Sequence, residues 1–187
     1  EVHADEANDI LRAHRITSRL AHRLLLILVP ANEDSASCMA KEADAMQMRV
    51  CHWDQGESPG EHTQVLMTES ADDIGLWYRL APLVFLGGSL SQKHGGQDPY
   101  LAAALGAAVL YGPNVGQHVH AYSRLVDAGA ARIIRDADSL AAAVSYLVAP
   151  DQAAAMAPAG WGLVASGAAL VAAAPTEVCG HPDPPGA

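Results

Sequence analysis

The sequence predicts an α/β fold, a Rossmann-like parallel sheet flanked by helices. Short apolar runs of strand length alternate with longer segments of helical periodicity along the 187 residues. Such alternation is typical of parallel strands joined by crossover helices. Abundant alanine and only 5% aromatic residues favour helices packed closely on a sheet over a β-sandwich. A chain of this length is about one domain and can bury a sizeable core.

The predicted strands are short runs of apolar residues. The first run, Leu24–Pro30, is apolar throughout and ends in proline, as expected for a strand that is buried on both faces. Four similar runs follow it: Val65–Met67, Leu83–Leu86, Ala108–Tyr111 and Ala131–Ile134. Their spacing leaves room for a helix in most of the intervals.

Helices are predicted between these runs. Asp98 followed by Pro99 is typical of a helix start, because the carboxylate caps free amides and proline suits the first helical position. Gly106 suits the end of the same helix. The predicted helices are Ile10–Leu20, Ser37–Gln47, Ser70–Leu80, Asp98–Leu105, Gln117–Ala128, Ser139–Ala149 and Asp151–Val171.

Composition excludes several classes of protein. The chain has 11 basic and 21 acidic residues and a net charge of -10, so it offers no broad basic surface, and no nucleic-acid partner is expected. The three cysteines show no CxxC spacing and are interpreted as reduced thiols in a cytoplasmic protein. The longest uncharged apolar run, Trp161–Pro175, is shorter than the roughly 20 residues of a membrane span.

Two Gly-Gly pairs bracket one loop. Gly87 and Gly88 follow a predicted strand, and Gly95 and Gly96 precede the helix start at Asp98. Ligands of parallel sheets bind beyond the carboxyl ends of the strands, where bare backbone amides and a helix N-terminus suit a phosphate or a carboxylate. The spacing is not the dinucleotide motif GxGxxG, and glycines that only form tight turns remain an alternative.

Three stretches carry a resemblance to a known family: GLWYRLAPLVFLGGSL, HGGQDPYLAAALGAAVLYGP and LVDAGAARIIRDADSLAAAV. They resemble the 3-deoxy-D-manno-octulosonate (Kdo) transferases, glycosyltransferases of the GT-B fold that move Kdo from CMP-Kdo onto a lipid A precursor. Weaker similarity extends to Ile10–Arg15 and Leu24–Pro30, and His3–Glu6 resembles a remnant of the family's interdomain motif. The resemblance covers about 150 residues and implies the C-terminal, donor-binding domain of such an enzyme.

This resemblance implies an organisation and a set of partners. Residues 1–22 would be a linker and leading helix from a missing N-terminal domain, residues 23–172 the nucleotide-sugar-binding domain, and residues 173–187 a disordered tail. The general base, the lipid A precursor and peripheral membrane contact would belong to the missing domain, so no catalytic residue is assigned here and the isolated chain is expected to be inactive. The donor CMP-Kdo is implied without a further cofactor, at the cytoplasmic face of the bacterial inner membrane.

The residues that the resemblance assigns to the donor site follow the predicted strands or begin the next helix. They are Pro30, Ala31, Ala71, Asp72, Asp73, Gly87, Gly88, Ser89, His94, Gly95, Gly96, Asp98, Pro99, Tyr100 and Leu101. The turn Gly112–Asn114 and His118 are further residues of the same expected cleft.

Several of these positions depart from the family pattern. Ala31 replaces an arginine that contacts the CMP phosphate, a contact of about 1.5–3 kcal/mol whose loss weakens binding roughly 10- to 100-fold. Asp72 replaces a glycine, Asp98 an asparagine, and Leu101 a glutamate that accepts bonds from ribose hydroxyls. These changes leave two alternatives to a Kdo transferase domain: a non-catalytic paralogue that serves as a scaffold, and a GT-B enzyme of altered nucleotide-sugar specificity.

Other candidate sites are weaker. His118 and His120 lie two residues apart, face different ways on a helix and have no third ligand at a suitable spacing, so no metal is predicted. Cys51 and His52 would point to opposite faces of a strand and form no catalytic pair. Lys93 and His94 could attract the phosphate or sugar carboxylate of the donor, the alternative being a solvated loop.

Overall fold

Parallel strands and helices alternate along the chain in the computed structural model, which describes residues 1–68 and 71–172. The predicted α/β fold is confirmed. The strands are β1 (Leu26–Leu28), β2 (Val50–His52), β3 (Val65–Met67), β4 (Leu83–Leu86), β5 (Ala108–Tyr111) and β6 (Ala131–Ile133). The strand β2 was not among the predicted runs, and β1 is shorter than its run. The predicted tail and the predicted helix start at Ser70 lie outside the described residues.

The helices occupy the predicted intervals. They are α1 (Ala7–Thr17), α2 (Glu33–Ala45), α3 (Ile74–Leu80), α4 (Tyr100–Ala104), α5 (Val119–Asp127), α6 (Ala137–Leu147) and α7 (Pro150–Ala172), with short 3-10 helices at Ala4–Glu6, Trp53–Gln55 and Gly116–His118. Capping side chains begin several of them. Asn32 accepts a hydrogen bond from the Ser35 amide (2.8 Å), and Asp136 accepts one from the Ser139 amide (2.7 Å).

The strands form two three-stranded parallel sheets, in the orders β1-β3-β2 and β4-β5-β6. No ladder joins β1 to β4 within the part of the chain that the structure describes. The amino end of the chain lies between them instead: the Val2 amide donates to the Val29 carbonyl (2.8 Å), and the Ala31 amide donates to the Val2 carbonyl (2.9 Å). Val2 is therefore paired in parallel with Pro30, at the carboxyl end of β1.

The core lies on both faces of the strands, which explains their uninterrupted apolar sequences. Successive residues of β3 point to opposite faces: Val65 and Met67 join the largest buried cluster, and Leu66 joins another. The largest cluster includes Leu11 of α1 and Leu140 of α6, so α1 is part of the same core as the strands. None of the described helices is long and apolar enough to cross a membrane.

Candidate functional site

The two Gly-Gly pairs meet beyond the carboxyl end of β4. The Gly96 amide donates a hydrogen bond to the Gly88 carbonyl (2.8 Å), so the two turns lie side by side. Gly88 and Gly96 have φ of 70° and 72°, in the left-handed region that favours glycine. A methyl group at Gly112, in the turn after β5, would lie 2.3 Å from the Ser89 carbonyl oxygen. Glycine is therefore required where these loops approach one another.

The side chain of Glu6 occupies the first glycine turn. Its side chain is 1% exposed. Oε2 accepts a hydrogen bond from the Gly88 amide (2.6 Å), and Oε1 accepts bonds from the Ser89 amide (3.0 Å) and the Leu90 amide (2.9 Å). Successive amides in a turn form a concave anion site. The turn was predicted to bind an anion, and in the structure that anion is the Glu6 carboxylate of the chain itself.

Ser89 joins the glycine turn to the turn after β5. Its buried hydroxyl donates to the Leu86 carbonyl (2.6 Å) and accepts a bond from the Gly112 amide (2.8 Å). The Asn114 amide donates to the Ser89 carbonyl (2.9 Å), and the Asn114 side chain donates to the Leu90 carbonyl (2.9 Å). These bonds hold the ends of neighbouring parallel strands β4 and β5 in one rigid edge.

The basic groups of the glycine loop are paired with Asp5. The rings of His3 and His94 stack with their centroids 3.6 Å apart, and His94 Nε2 lies 3.1 Å from Asp5 Oδ1. Lys93 Nζ lies 3.8 Å from Asp5 Oδ2. Burial, and then the neighbouring His94, lower the pKa of His3. Burial would raise the pKa of Asp5, but hydrogen bonds from Ser91 and His94 outweigh it and lower that pKa.

The helix beside the second glycine turn begins at Tyr100, with Pro99 at its N-cap rather than at its first helical position. Asp98 Oδ1 still accepts a hydrogen bond from the Tyr100 amide (2.8 Å), and Pro99 is buried just before α4. The Tyr100 hydroxyl accepts a long bond from Arg124 Nη1 (3.5 Å). Leu101 is 51% exposed and offers no polar group to a ligand.

The remaining predicted residues lie at the carboxyl ends of β1 and β3. Pro30 is buried beside Val2, and Ala31 is partly exposed. Ala71 packs against the small apolar cluster that contains Val29 and Trp77. Asp72 and Asp73 are exposed before α3. Pro30 approaches the glycine turns through Val2, which pairs with Pro30 and lies against Gly87. The role of these residues in binding a donor stays a prediction.

The roles of Asp5 and Glu6 were missed by sequence reasoning. The stretch His3–Glu6 was recognised only as a distant match to the family, without a function. Glu6 lies 82 residues before its partner Gly88, so no local pattern links the two. Among the described residues no three His, Cys, Asp or Glu side chains gather closely enough to hold a metal ion.

Comparison with known proteins gives sequence relatives for most of the chain, although no protein-family model matches it. The chain is 30% identical to the 3-deoxy-D-manno-octulosonic acid transferase of Haemophilus influenzae over 147 residues. This aligned region is 78% of this chain and 34% of that protein. The chain is 29% identical to the 3-deoxy-D-manno-octulosonic acid transferase of Bordetella pertussis over 133 residues. This aligned region is 71% of this chain and 30% of that protein. The chain therefore spans about a third of the length of these relatives.

The fold is shared with a solved structure, the C-terminal CMP-Kdo binding domain of WaaA from Acinetobacter baumannii. The two structures match with a TM-score of 0.80 over 87% of this chain and 85% of that one, at 22% sequence identity. The match bears on the fold, which is that of a GT-B C-terminal domain.

Proposed function

From the premise that this chain is related to the Kdo transferases in sequence and to a C-terminal GT-B domain in fold, we propose that it is the donor-binding domain of a glycosyltransferase of the Kdo transferase family. The donor is CMP-Kdo, bound where the two glycine turns meet. The reaction transfers Kdo to a lipid A precursor in lipopolysaccharide biosynthesis, at the cytoplasmic face of the bacterial inner membrane.

One observation carries this proposal: the hydrogen bond from the Gly96 amide to the Gly88 carbonyl joins the two glycine turns beyond the end of β4. That edge of a parallel sheet is where open α/β folds bind nucleotides. A glycine backbone on two sides allows the ribose and phosphate of a nucleotide to approach closely.

The proposal divides the work between this chain and a second domain. Residues 23–172 hold the donor, with residues 1–22 packed into the same core, and an N-terminal domain supplies the general base, the acceptor site and the membrane contact. The isolated chain would then bind a donor without transferring its sugar. Residues 173–187 would take no part in donor binding.

Calorimetric titration of the folded chain tests this proposal. We expect CMP to bind, UDP to bind at least about tenfold more weakly, and Gly96→Ala to abolish CMP binding. An added Cβ at Gly96 would lie 3.0 Å from Val115 Cα at a φ that alanine rarely adopts. Gly60→Ala is the matched control, because its Cβ would meet no atom within 4 Å. Equal binding of CMP by both variants would contradict the proposed site.

A second candidate function, a scaffold without donor binding, is favoured by the contacts of Glu6 and Asp5. The carboxylate of Glu6 accepts hydrogen bonds from three amides of the first glycine turn, and Asp5 pairs with Lys93 and His94. An external anion would have to compete with both carboxylates. A folded chain that binds none of CMP, CMP-Kdo or UDP would support this candidate. Tight binding of UDP instead would support a GT-B enzyme of altered specificity.

A further inference from the structure

Arginine is concentrated in one stretch of this acidic chain. Residues 10–32 include four arginines, two histidines and no acidic residue, although the whole chain has 11 lysines and arginines and 21 acidic residues. The charge along the sequence is therefore strongly uneven. A compact basic stretch of this kind is too small for the broad surface that a nucleic acid needs, but it suits a local contact with an anionic partner.

Three of these arginines are exposed where α1 ends and the chain turns toward β1. Arg12 pairs with Asp138 (3.2 Å), whereas Arg15, Arg19 and Arg23 form no ion pair with any residue that the structure describes. Hydrogen bonds fold the chain compactly after α1: two amides donate to the Thr17 carbonyl (3.0 Å each), and a second turn follows directly. We name residues 15–25 the arginine turn.

Exposed apolar side chains alternate with the arginines of this turn. Leu20 is 82% exposed, more than any other large hydrophobic residue in the described part of the chain, and Ile16 and Leu25 are each 36% exposed. Single exposed leucines are common, but three such residues lie here within ten positions. Apolar side chains among arginines are typical of surfaces that enter the interface of a bilayer. A soluble polyanion would explain the arginines but not the exposed leucine.

A polar cleft of about 270 Å³ adjoins the arginine turn. His22 lines it from the turn, and Arg49 and His62 line it from the segments that precede β2 and β3. Arg49 Nε donates to the His62 carbonyl, which holds the guanidinium beside the cleft. Glu61 is the acidic residue among the described residues of the lining. Arginine binds phosphate through charge-assisted hydrogen bonds, so this cleft suits the phosphate of a lipid headgroup.

The arginine turn and the cleft lie at the amino ends of the strands of the first sheet. Leu25, Arg49 and Gln64 directly precede β1, β2 and β3, which pair in parallel and in register. The other end of β1 approaches the glycine turns, through the pairing of Val2 with Pro30. A surface that contacts the arginine turn would therefore leave the glycine turns accessible.

We propose that the arginine turn and the adjoining cleft dock this domain on a membrane surface that contains anionic phospholipids. The arginines contact lipid phosphates, Leu20 enters the boundary between headgroups and acyl chains, and the cleft takes one headgroup phosphate. The same negative surface repels the acidic remainder of the chain, which fixes the side of the domain that faces the membrane. This contact is additional to the one proposed for an N-terminal domain, and it does not depend on donor binding.

Flotation of the 187-residue chain with lipid vesicles tests this proposal. One set of vesicles contains phosphatidylglycerol and phosphatidylcholine in equal parts, and the other contains phosphatidylcholine alone. We expect the chain to float only with the anionic vesicles, and an increase in salt from about 0.05 M to about 0.5 M to release most of it, because salt screens exposed charges. Arg19→Gln should weaken binding about fivefold, and Leu20→Ser about tenfold.

Two matched controls remove the same kinds of group elsewhere. Arg135→Gln removes an exposed arginine that follows β6, and Val119→Ser removes an apolar side chain, 55% exposed, at the start of α5. Both should bind anionic vesicles as the parent does. Because Leu20 is so exposed, Leu20→Ser should change the free energy of unfolding by no more than about 0.5 kcal/mol, and circular dichroism checks that it is folded.

Four results would overturn the proposal. The first is no flotation with anionic vesicles, or equal flotation with both kinds. The second is a loss of binding in the two controls as large as in Arg19→Gln and Leu20→Ser. The third is unchanged flotation of Leu20→Ser together with binding of a single-stranded oligonucleotide by the parent, since the arginine turn would then be a nucleic-acid site. The fourth is a parent that sediments as a dimer and a Leu20→Ser variant that sediments as a monomer, since the turn would then join two copies of the chain.

The same variants separate this proposal from donor binding. Leu20→Ser should bind CMP in the calorimetric titration with the affinity of the parent, because the arginine turn lies away from the glycine turns. A chain that binds no CMP but floats with anionic vesicles would contradict the donor site alone.

Discussion

Replacing Glu6 by glutamine tests whether this carboxylate holds the first glycine turn. The glutamate accepts bonds from the Gly88, Ser89 and Leu90 amides through two oxygens. Glutamine has one oxygen, and its NH2 group would face an amide donor. At least one buried amide then loses a bond to a charged group, worth about 1.5–3 kcal/mol, and is left unsatisfied at a cost of about 1–3 kcal/mol. We expect the free energy of unfolding to fall by about 3 kcal/mol.

The assay is urea unfolding followed by circular dichroism, analysed by linear extrapolation. A change of about 3 kcal/mol corresponds to a thermal midpoint lower by roughly 6–12 °C for a chain of this size. Glu42→Gln is the matched control, since Glu42 accepts one exposed bond from the Asn8 side chain, and its effect should stay within about 0.5 kcal/mol. A loss of less than about 1 kcal/mol for Glu6→Gln would refute the assignment of Glu6 as the anchor of the turn.

Two further predictions concern a tight backbone approach and a buried histidine. Gly112→Ala should lower the free energy of unfolding by about 1–3 kcal/mol, because its Cβ would lie 2.3 Å from the Ser89 carbonyl oxygen. Gly162→Ala is the control: its Cβ would lie in open space on α7, so it should raise the free energy of unfolding by up to about 1 kcal/mol in the same urea assay. Equal effects of the two substitutions would contradict the close approach of Gly112 to Ser89. Burial lowers the pKa of His14 from its ordinary 6.5, although a hydrogen bond to the Gln64 backbone opposes this. The unfolded chain therefore binds more protons at His14 than the folded chain does. The stability that His14 contributes above pH 6.5 is lost as the pH falls. His14→Leu should therefore lose less stability than the parent between pH 7.5 and 5.5, and an equal loss would exclude His14 as a contributor.

Element type was predictable from sequence because local patterns carry it. Val65–Met67, Leu83–Leu86 and Ala108–Tyr111 are strands with the predicted bounds, since each is a short apolar run flanked by polar or turn residues. The strand Val50–His52 was absent from the predicted apolar runs because its three residues are not all apolar. The cap of α4 by Asp98 followed from residues two apart in sequence. Such signals do not extend to pairing between distant strands, so the division of the strands into two sheets was not foreseen.

The candidate site was predicted in part, for a related reason. The resemblance and the glycine pattern indicated which backbone would form it, and Gly88 and Gly96 do meet. They did not indicate that a carboxylate of the chain itself would occupy the first turn. The carboxylate of Glu6 bonds there across 82 residues of chain, and neither its spacing nor its neighbours distinguishes it from a solvated acid on the first turn of a helix. Only the assembled fold reveals that contact.

The proposed donor binding would depend on a competition between two anions for one edge of the sheet. A phosphate placed at the first glycine turn must displace Glu6 from three amides, while Asp5 already contacts Lys93 and His94. Repulsion between unit charges 4 Å apart is about 1 kcal/mol in water and about 4 kcal/mol near a protein surface. A bound nucleotide would therefore rest on the second turn, at Gly95 and Gly96, because the start of α4 is already bonded to Asp98, which accepts the Tyr100 amide. The two candidate functions, a donor domain and a scaffold, therefore differ in one respect. It is whether the second glycine turn alone supplies enough binding energy to hold a nucleotide.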